Sequence, residues 1–127
     1  MTTYIIDTSF IFSFADEDDS NYLKAREIMR NQESNSKNLV PFIVAAELSI
    51  GSNFFDFVSL ARSFSSKFIN NNDKDLDFLK TIPSATARSL KANDCLILAL
   101  CKRYNAKLLT FDLKLERVYK ELLREIL

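Results

Sequence analysis

Short apolar strands alternate with helical segments along this chain, and that alternation constrains the fold more than any other feature. Residues 3–7 (TYIID), 38–40 (NLV) and 107–111 (KLLTF) are typical of short buried strands. The segments between them carry apolar residues at helical spacing. Because strands joined through helices pair side by side in one direction, the chain is predicted to have an α/β fold around a central parallel sheet.

Caps and breakers set the bounds of the predicted helices. Pro41 is expected at the first position of a helix that ends at Gly51, and Asn105 is expected in the left-handed conformation after a buried helix. Helices are predicted over residues 8–15, 21–32, 42–50, 53–64, 94–104 and 113–127, with a shorter one between Asp73 and Pro83 and a brief strand at 68–69. The helix over 21–32 is expected to turn five side chains inward: Tyr22, Leu23, Ala25, Ile28 and Met29.

The composition excludes several classes of enzyme. The chain has no histidine, so Ser-His-Asp and Cys-His hydrolases and zinc proteases are excluded. Its two cysteines, Cys95 and Cys101, are too few for a structural zinc site, and they are interpreted as core residues of a protein in the reducing cytoplasm. A single glycine excludes phosphate-binding loops rich in glycine. The remaining chemistry uses carboxylates, hydroxyls and a hard metal ion.

Length and charge limit the partners of the protein. A chain of 127 residues is predicted to form one domain over 1–127, and no apolar run is long enough to span a membrane. The net charge is zero, but residues 1–84 carry 8 basic and 12 acidic side chains whereas residues 85–127 carry 9 and 5. The net charge of zero argues against avid nonspecific binding to nucleic acid. The basic C-terminal third could still offer a local phosphate-binding face, or it could be an ordinary solvated surface.

Four acidic residues lie in apolar surroundings. Asp7 and Asp112 each follow a predicted strand, Asp94 begins an apolar helix, and Glu47 lies within the apolar helix FIVAAELSI. Burying a carboxylate is costly unless it is compensated. A helix cap would explain Asp7, Asp94 and Asp112, but it explains Glu47 poorly, because no basic residue lies three or four positions away from it.

Taken together, the four acids predict a metal site. Functional residues gather at the carboxyl ends of parallel strands, and carboxylates that converge there repel one another unless a cation binds. Oxygen ligands without histidine or thiolate favour Mg²⁺ or Mn²⁺, which can activate water for attack on a phosphodiester. Three nearby hydroxyls could orient the carboxylates or the water: Thr8, Ser9 and Thr110.

Four motifs in order, IIDTSF, PFIVAAEL, SLKANDCLILAL and KLLTFD, resemble the PIN-domain family, and especially the virulence-associated protein C (VapC) toxins. The resemblance covers residues 4–119 and implies a three-layer α/β/α sandwich. It also implies an endoribonuclease that depends on Mg²⁺ or Mn²⁺, acts on RNA, is restrained by a cognate antitoxin and forms a homodimer. The family's acidic quartet falls on Asp7, Glu47, Asp94 and Asp112, and its small polar residues fall on Thr8, Ser9 and Thr110.

Residues outside the motifs allow two interpretations each. Arg88 and Lys91 precede Asp94 and are candidates for phosphate contact, or simple surface charges. The segment from 54 to 84 holds more phenylalanines than a small core obviously needs, and these could pack in the core or form a dimer or antitoxin surface: Phe54, Phe55, Phe57, Phe64, Phe68 and Phe78.

Other functions fit the sequence less well. A noncatalytic PIN-like scaffold or RNA-processing module would not need Glu47 in an apolar helix. A receiver domain would need an acidic pair after the first strand and a lysine after a late one, and a haloacid dehalogenase-type phosphatase would need an aspartate where Ser9 stands.

Overall fold

The computed structural model of the protein describes residues 1–51, 56–65 and 67–123. In this part of the chain there are four strands: β1 (Thr3–Ile6), β2 (Lys37–Pro41), β3 (Phe68–Ile69) and β4 (Lys107–Leu109). The same part contains eight helices: α1 (Thr8–Ala15), α2 (Tyr22–Arg30), α3 (Phe42–Gly51), α4 (Phe57–Phe64), α5 (Asp75–Thr81), α6 (Ser84–Ser89), α7 (Ala92–Tyr104) and α8 (Leu113–Leu123).

The strands form one parallel sheet in the order β3-β2-β1-β4. Helix α1 contacts α2, α3 and α4, α3 also contacts α4, and α7 contacts both α5 and α8. This arrangement confirms the predicted α/β/α sandwich around a central parallel sheet. Because β1 and β4 are neighbours that run in the same direction, the residues that follow them, Asp7 and Thr110, emerge at the same edge of the sheet.

The core lies on both faces of β1. Ile5 and Ile6 on this strand are fully buried, and they pack in one cluster with α7, where Leu98 and Leu100 are also fully buried. Asn105 ends α7 with φ 51° and ψ 48°, which confirms the predicted left-handed residue. Only Asn105 and Ala106 lie between α7 and β4, so the end of the helix and the start of the strand are held close together.

Two predictions about local structure are wrong. Pro41 is the last residue of β2, where it pairs with Ile69, and α3 begins one residue later. Proline is tolerated there because the end of a strand does not need its missing N–H. Leu23 is 77% exposed. The buried stripe of α2 consists of Ala25, Ile28 and Met29, and Leu23 lies two residues before this stripe, on the far side of the helix.

Several predicted bounds also change. Helix α4 begins at Phe57, and Asp56 caps it by accepting a hydrogen bond from Ser59 N at 3.0 Å. Strand β4 ends at Leu109, two residues earlier than predicted, and α6 was not predicted at all. The predicted helical residues 53–55 and 124–127 lie outside the described residues.

The described phenylalanines of the segment from 54 to 84 pack inward. Phe57, Phe64, Phe68 and Phe78 are partly buried against the core, while Phe54 and Phe55 lie outside the described residues. Both cysteines are free thiols; Cys101 is buried as predicted, whereas Cys95 is only partly buried. Within the described ranges, no helix has the length and apolar character that crossing a membrane requires.

Candidate active site at the carboxyl edge of the sheet

Asp7 is fixed by two hydroxyl groups at the point where β1 passes into α1. Its side chain is 7% exposed, and its Oδ2 atom accepts hydrogen bonds from Ser9 Oγ at 3.0 Å and from Thr110 Oγ1 at 2.8 Å. Asp7 makes no side-chain cap to α1, so helix capping does not explain it. Its Oδ1 atom accepts no hydrogen bond from any described residue and remains available for another ligand.

Backbone amides set the direction of these hydrogen bonds. Phe111 N donates to Ser9 Oγ at 3.0 Å, and Asp112 N donates to Thr110 Oγ1 at 3.0 Å. Each hydroxyl accepts from an amide, so its single proton is free to point at Asp7. The chain beyond β4 is thereby tied to the start of α1, and the Asp7 carboxylate is held in one orientation.

Glu47 and Asp94 come from α3 and α7 and interact electrostatically with Asp7. Glu47 is exposed as a residue, but its carboxyl group is partly desolvated; this desolvation is the largest cause that raises its pKa, and the negative charges of Asp7 and Asp94 raise it further. Burial also raises the pKa of Asp94, with added repulsion from Asp7 and Asp112. Asp7, Glu47 and Asp94 thus influence one another, and Asp112 acts on Asp94; we call these four acids the acid cluster.

The surroundings of the four acids are less apolar than predicted. Glu47 and Asp112 are exposed, Asp94 is half-buried and only Asp7 is buried. Glu47 lies on the solvent side of α3, which the apolar sequence around it did not reveal. Two of the acids also serve as helix caps: Asp112 Oδ1 accepts from the amides of Lys114 and Leu115 at 3.0 and 3.1 Å, and Asp94 Oδ2 accepts from Lys91 N at 3.3 Å.

Two other predicted residues, Thr8 and Lys91, lie beside the acids, and a third, Arg88, does not contact them. The Thr8 side chain is close enough to Glu47 to lower its pKa, but the buried Thr8 Oγ1 makes no hydrogen bond of ordinary geometry in the described part of the chain. The positive charge of Lys91 lowers the pKa of both Glu47 and Asp94. Arg88 is exposed on α6, and no contact connects it to the acids.

The donor set fits a hard divalent cation. None of the four carboxylates forms an ion pair with a lysine or arginine in the described ranges. The charge of Lys91 offsets the repulsion at Glu47 and Asp94 only in part, because the pKa of each stays raised. Within the part of the chain that the structure describes, no three His, Cys, Asp or Glu side chains lie close enough together to hold a metal ion. Mg²⁺ commonly binds through one or two carboxylates and completes its shell with water, so a preformed cage of three is not required.

The most deeply buried acid among the described residues was not singled out from the sequence. Asp75 is 3% exposed and accepts hydrogen bonds from Arg103 Nε at 2.9 Å, Asn71 Nδ2 at 2.9 Å and Asn72 N at 3.1 Å. These bonds attach the start of α5 to α7, the helix that carries Asp94. The polar sequence around Asp75 gave no signal of burial, because its main partner is 28 residues away.

Comparison with known families agrees with this geometry. The family model described as PIN domain matches residues 4–121 of the chain. The chain belongs to the PIN-domain family. PIN domains are generally nucleases that use divalent metal ions and bind RNA, and the acid cluster of this PIN domain lies at the sheet edge where such chemistry is expected. A comparison of the sequence with curated proteins finds no match.

The raised pKa of Glu47 leads to a prediction about stability. In the folded protein Glu47 binds its proton more tightly than at its ordinary pKa of 4.5, so its contribution to stability is present below that pH and is lost as the pH rises through the folded pKa. We therefore expect Glu47→Gln to raise the melting temperature at neutral pH in EDTA, and to have little effect at about pH 4. Thermal unfolding at a series of pH values measures this.

The matched control is Glu33→Gln, which removes an exposed carboxylate from the loop before β2. It should leave the melting temperature unchanged at every pH. A Glu47→Gln variant that melts lower than the parent at neutral pH in EDTA would show that this carboxylate is stabilised by its surroundings and not repelled by them.

Proposed function

We propose that this PIN domain is an endoribonuclease that hydrolyses RNA phosphodiester bonds with Mg²⁺ or Mn²⁺. The observation that carries the proposal is the cluster of four carboxylates from separate elements, which repel one another and form no ion pair within the described ranges. Asp7, Glu47, Asp94 and Asp112 would hold the cation. A bound divalent cation would neutralise charge on the scissile phosphate and make water more acidic for in-line attack.

The chain's own residues would prepare this chemistry by orientation. Ser9 and Thr110 hold Oδ2 of Asp7, which leaves Oδ1 directed away from its hydrogen-bond donors and available to the cation. Thr8 lies beside Glu47, where it would steady that carboxylate. Lys91 stands next to both Glu47 and Asp94 and would contact a phosphate of the substrate, while Arg88 is a more distant candidate for the same role.

The biological setting proposed here follows the VapC resemblance. The protein would be the toxin of a toxin–antitoxin pair, a single PIN-like domain that forms a homodimer, acts in the cytoplasm and is restrained by a cognate antitoxin. Its free cysteines fit a reducing compartment. Growth arrest on expression of the parent chain, absent for Asp7→Asn, supports the toxin role, whereas normal growth despite cleavage of RNA by the purified protein argues for a processing nuclease.

Chelation provides the test of the catalytic proposal. Purified protein, free of any bound partner, should cleave labelled single-stranded RNA in Mn²⁺ or Mg²⁺, lose cleavage in excess EDTA and regain it when the cation is restored. Product analysis on a gel measures the rate. Cleavage that persists in EDTA contradicts the metal requirement, and an absence of cleavage in both cations favours a noncatalytic RNA-binding module.

A further inference from the structure

A groove of about 270 Å³ runs beside β4, the edge strand nearest the acid cluster. Its wall includes two partly exposed aromatic side chains, Tyr4 and Phe111. The Phe111 ring stacks on the buried ring of Phe10, with the centroids 5.3 Å apart and the planes 9° apart. Three lysines also line it, Lys24 from α2, Lys107 from β4 and Lys120 from α8. The groove thus combines an apolar, aromatic wall with positive charge.

Tyr119 closes one end of the exposed strand edge. Its side chain is 3% exposed, and its hydroxyl donates a hydrogen bond to the carbonyl oxygen of Ala106 at 3.2 Å. Burial raises the pKa of Tyr119 to about 12, so the hydroxyl keeps its proton. A peptide strand could not pair with this end of β4 without displacing Tyr119, which argues against strand addition as the use of the groove.

The positive charge in the groove is largely uncompensated. Lys120 forms an ion pair with Glu116 at 2.8 Å, but Lys24 and Lys107 are exposed and form no ion pair within the described ranges. Two free ammonium groups beside an aromatic wall are complementary to a flexible polyanion whose bases are apolar on their faces. Single-stranded nucleic acid has this chemistry.

The groove is continuous with the acid cluster through two residues. Thr110 and Phe111 both border it, and both belong to the hydrogen-bond network of Asp7: Thr110 Oγ1 donates to the carboxylate, and Phe111 N donates to Ser9 Oγ. A strand that lies in the groove would therefore pass directly beside the carboxylates.

From these observations we infer that the groove binds the RNA strand next to the scissile phosphate, with Lys24 and Lys107 contacting phosphates on one side of the cleavage point. This inference rests on the proposed RNA substrate and assigns the strand a path over the structure. It places recognition on the β4 edge, outside the four carboxylates and Lys91.

Binding in the absence of metal tests the inference separately from catalysis. Fluorescence anisotropy with a labelled single-stranded RNA is measured in EDTA, so that binding does not depend on cleavage. The variant with both Lys24→Ala and Lys107→Ala should bind roughly tenfold more weakly at 0.1 M salt, and the slope of log affinity against log salt should fall by about 1.4, because each phosphate contact contributes about 0.7 for a single strand. The matched control, Lys74→Ala with Lys80→Ala, removes the same charge from the α5 region and should change neither value.

The outcomes separate the inference from the proposed function. Loss of binding in the groove variant with no loss in the control supports the inference, even if the protein cleaves no RNA. Equal affinity and equal salt slope for the parent and the groove variant overturn it, even if the parent cleaves RNA or an acidic protein is found to occupy the groove. An equal loss in the two variants also overturns it, since the effect would then be one of overall charge.

Discussion

Asp7→Asn is expected to lower the rate of RNA cleavage about a thousandfold, because a divalent cation supplies several kcal/mol of charge stabilisation and this side chain is the best-oriented ligand for it. The substitution leaves an oxygen that can still accept the hydrogen bonds of Ser9 and Thr110. It also removes one of the charges that repel Glu47 and Asp94. The melting temperature in EDTA should therefore be equal to that of the parent or higher.

The matched control for this variant is Asp77→Asn, which makes the same chemical change on the exposed face of α5. The control should cleave RNA at the parental rate. Equal cleavage rates for Asp7→Asn and the parent would show that the Asp7 carboxylate is not needed for catalysis. A melting temperature well below the parent's would mean that the Asp7 charge stabilises the fold and that lost cleavage reports unfolding.

Asp75→Ala is expected to have the largest effect on stability, a loss of about 3 kcal/mol in the free energy of unfolding and about 10 °C in melting temperature. The substitution leaves Arg103 and Asn71 without the carboxylate that they contact. This loss in the free energy of unfolding is at the lower end of the range for a broken buried ion pair, because the Arg103 side chain is 24% exposed and water can reach it. Urea unfolding followed by circular dichroism measures the loss.

The effect of Asp75 should also depend on pH. Burial raises the pKa of this carboxyl, but hydrogen bonds from Arg103, Asn71 and Asn72 outweigh burial and hold the pKa below its ordinary value of 3.8. The stabilisation is therefore present above pH 3.8 and is lost as the pH falls through the folded pKa, so the parent and the variant should converge in strong acid. Asp77→Ala on the same helix should cost within about 0.5 kcal/mol, and an equal cost for the two variants would contradict the role of the buried pair.

The architecture could be predicted from sequence because it depends on local patterns. The segments TYIID and KLLTF are apolar and short, so their strand character and the parallel sheet follow from periodicity and chain order. One error arose at Pro41, because proline is tolerated both at the first position of a helix and at the end of a strand. The other arose at Leu23, an apolar side chain that lies off the buried stripe of α2.

The acid cluster could be predicted in part, and for a partly mistaken reason. Asp7 is buried as the apolar strand before it indicates, but Glu47 is exposed although its helix is apolar. The apolar sequence of α3 identified Glu47 as unusual without showing which side of the helix faces solvent. The Asp75–Arg103 pair and the groove with Lys24 could not be predicted, because both depend on contacts between distant segments that no local pattern encodes.

Calorimetric titration of Mn²⁺ into the metal-free protein measures whether the four carboxylates bind a cation, and it does not require knowledge of the RNA target. We expect saturable binding to the parent and to Asp77→Asn, weaker or absent binding to Asp7→Asn, and affinity that falls on acidification as Glu47 and Asp94 take up protons. No binding to the parent, or equal binding to the parent and Asp7→Asn, would contradict the claim that these carboxylates form the metal site.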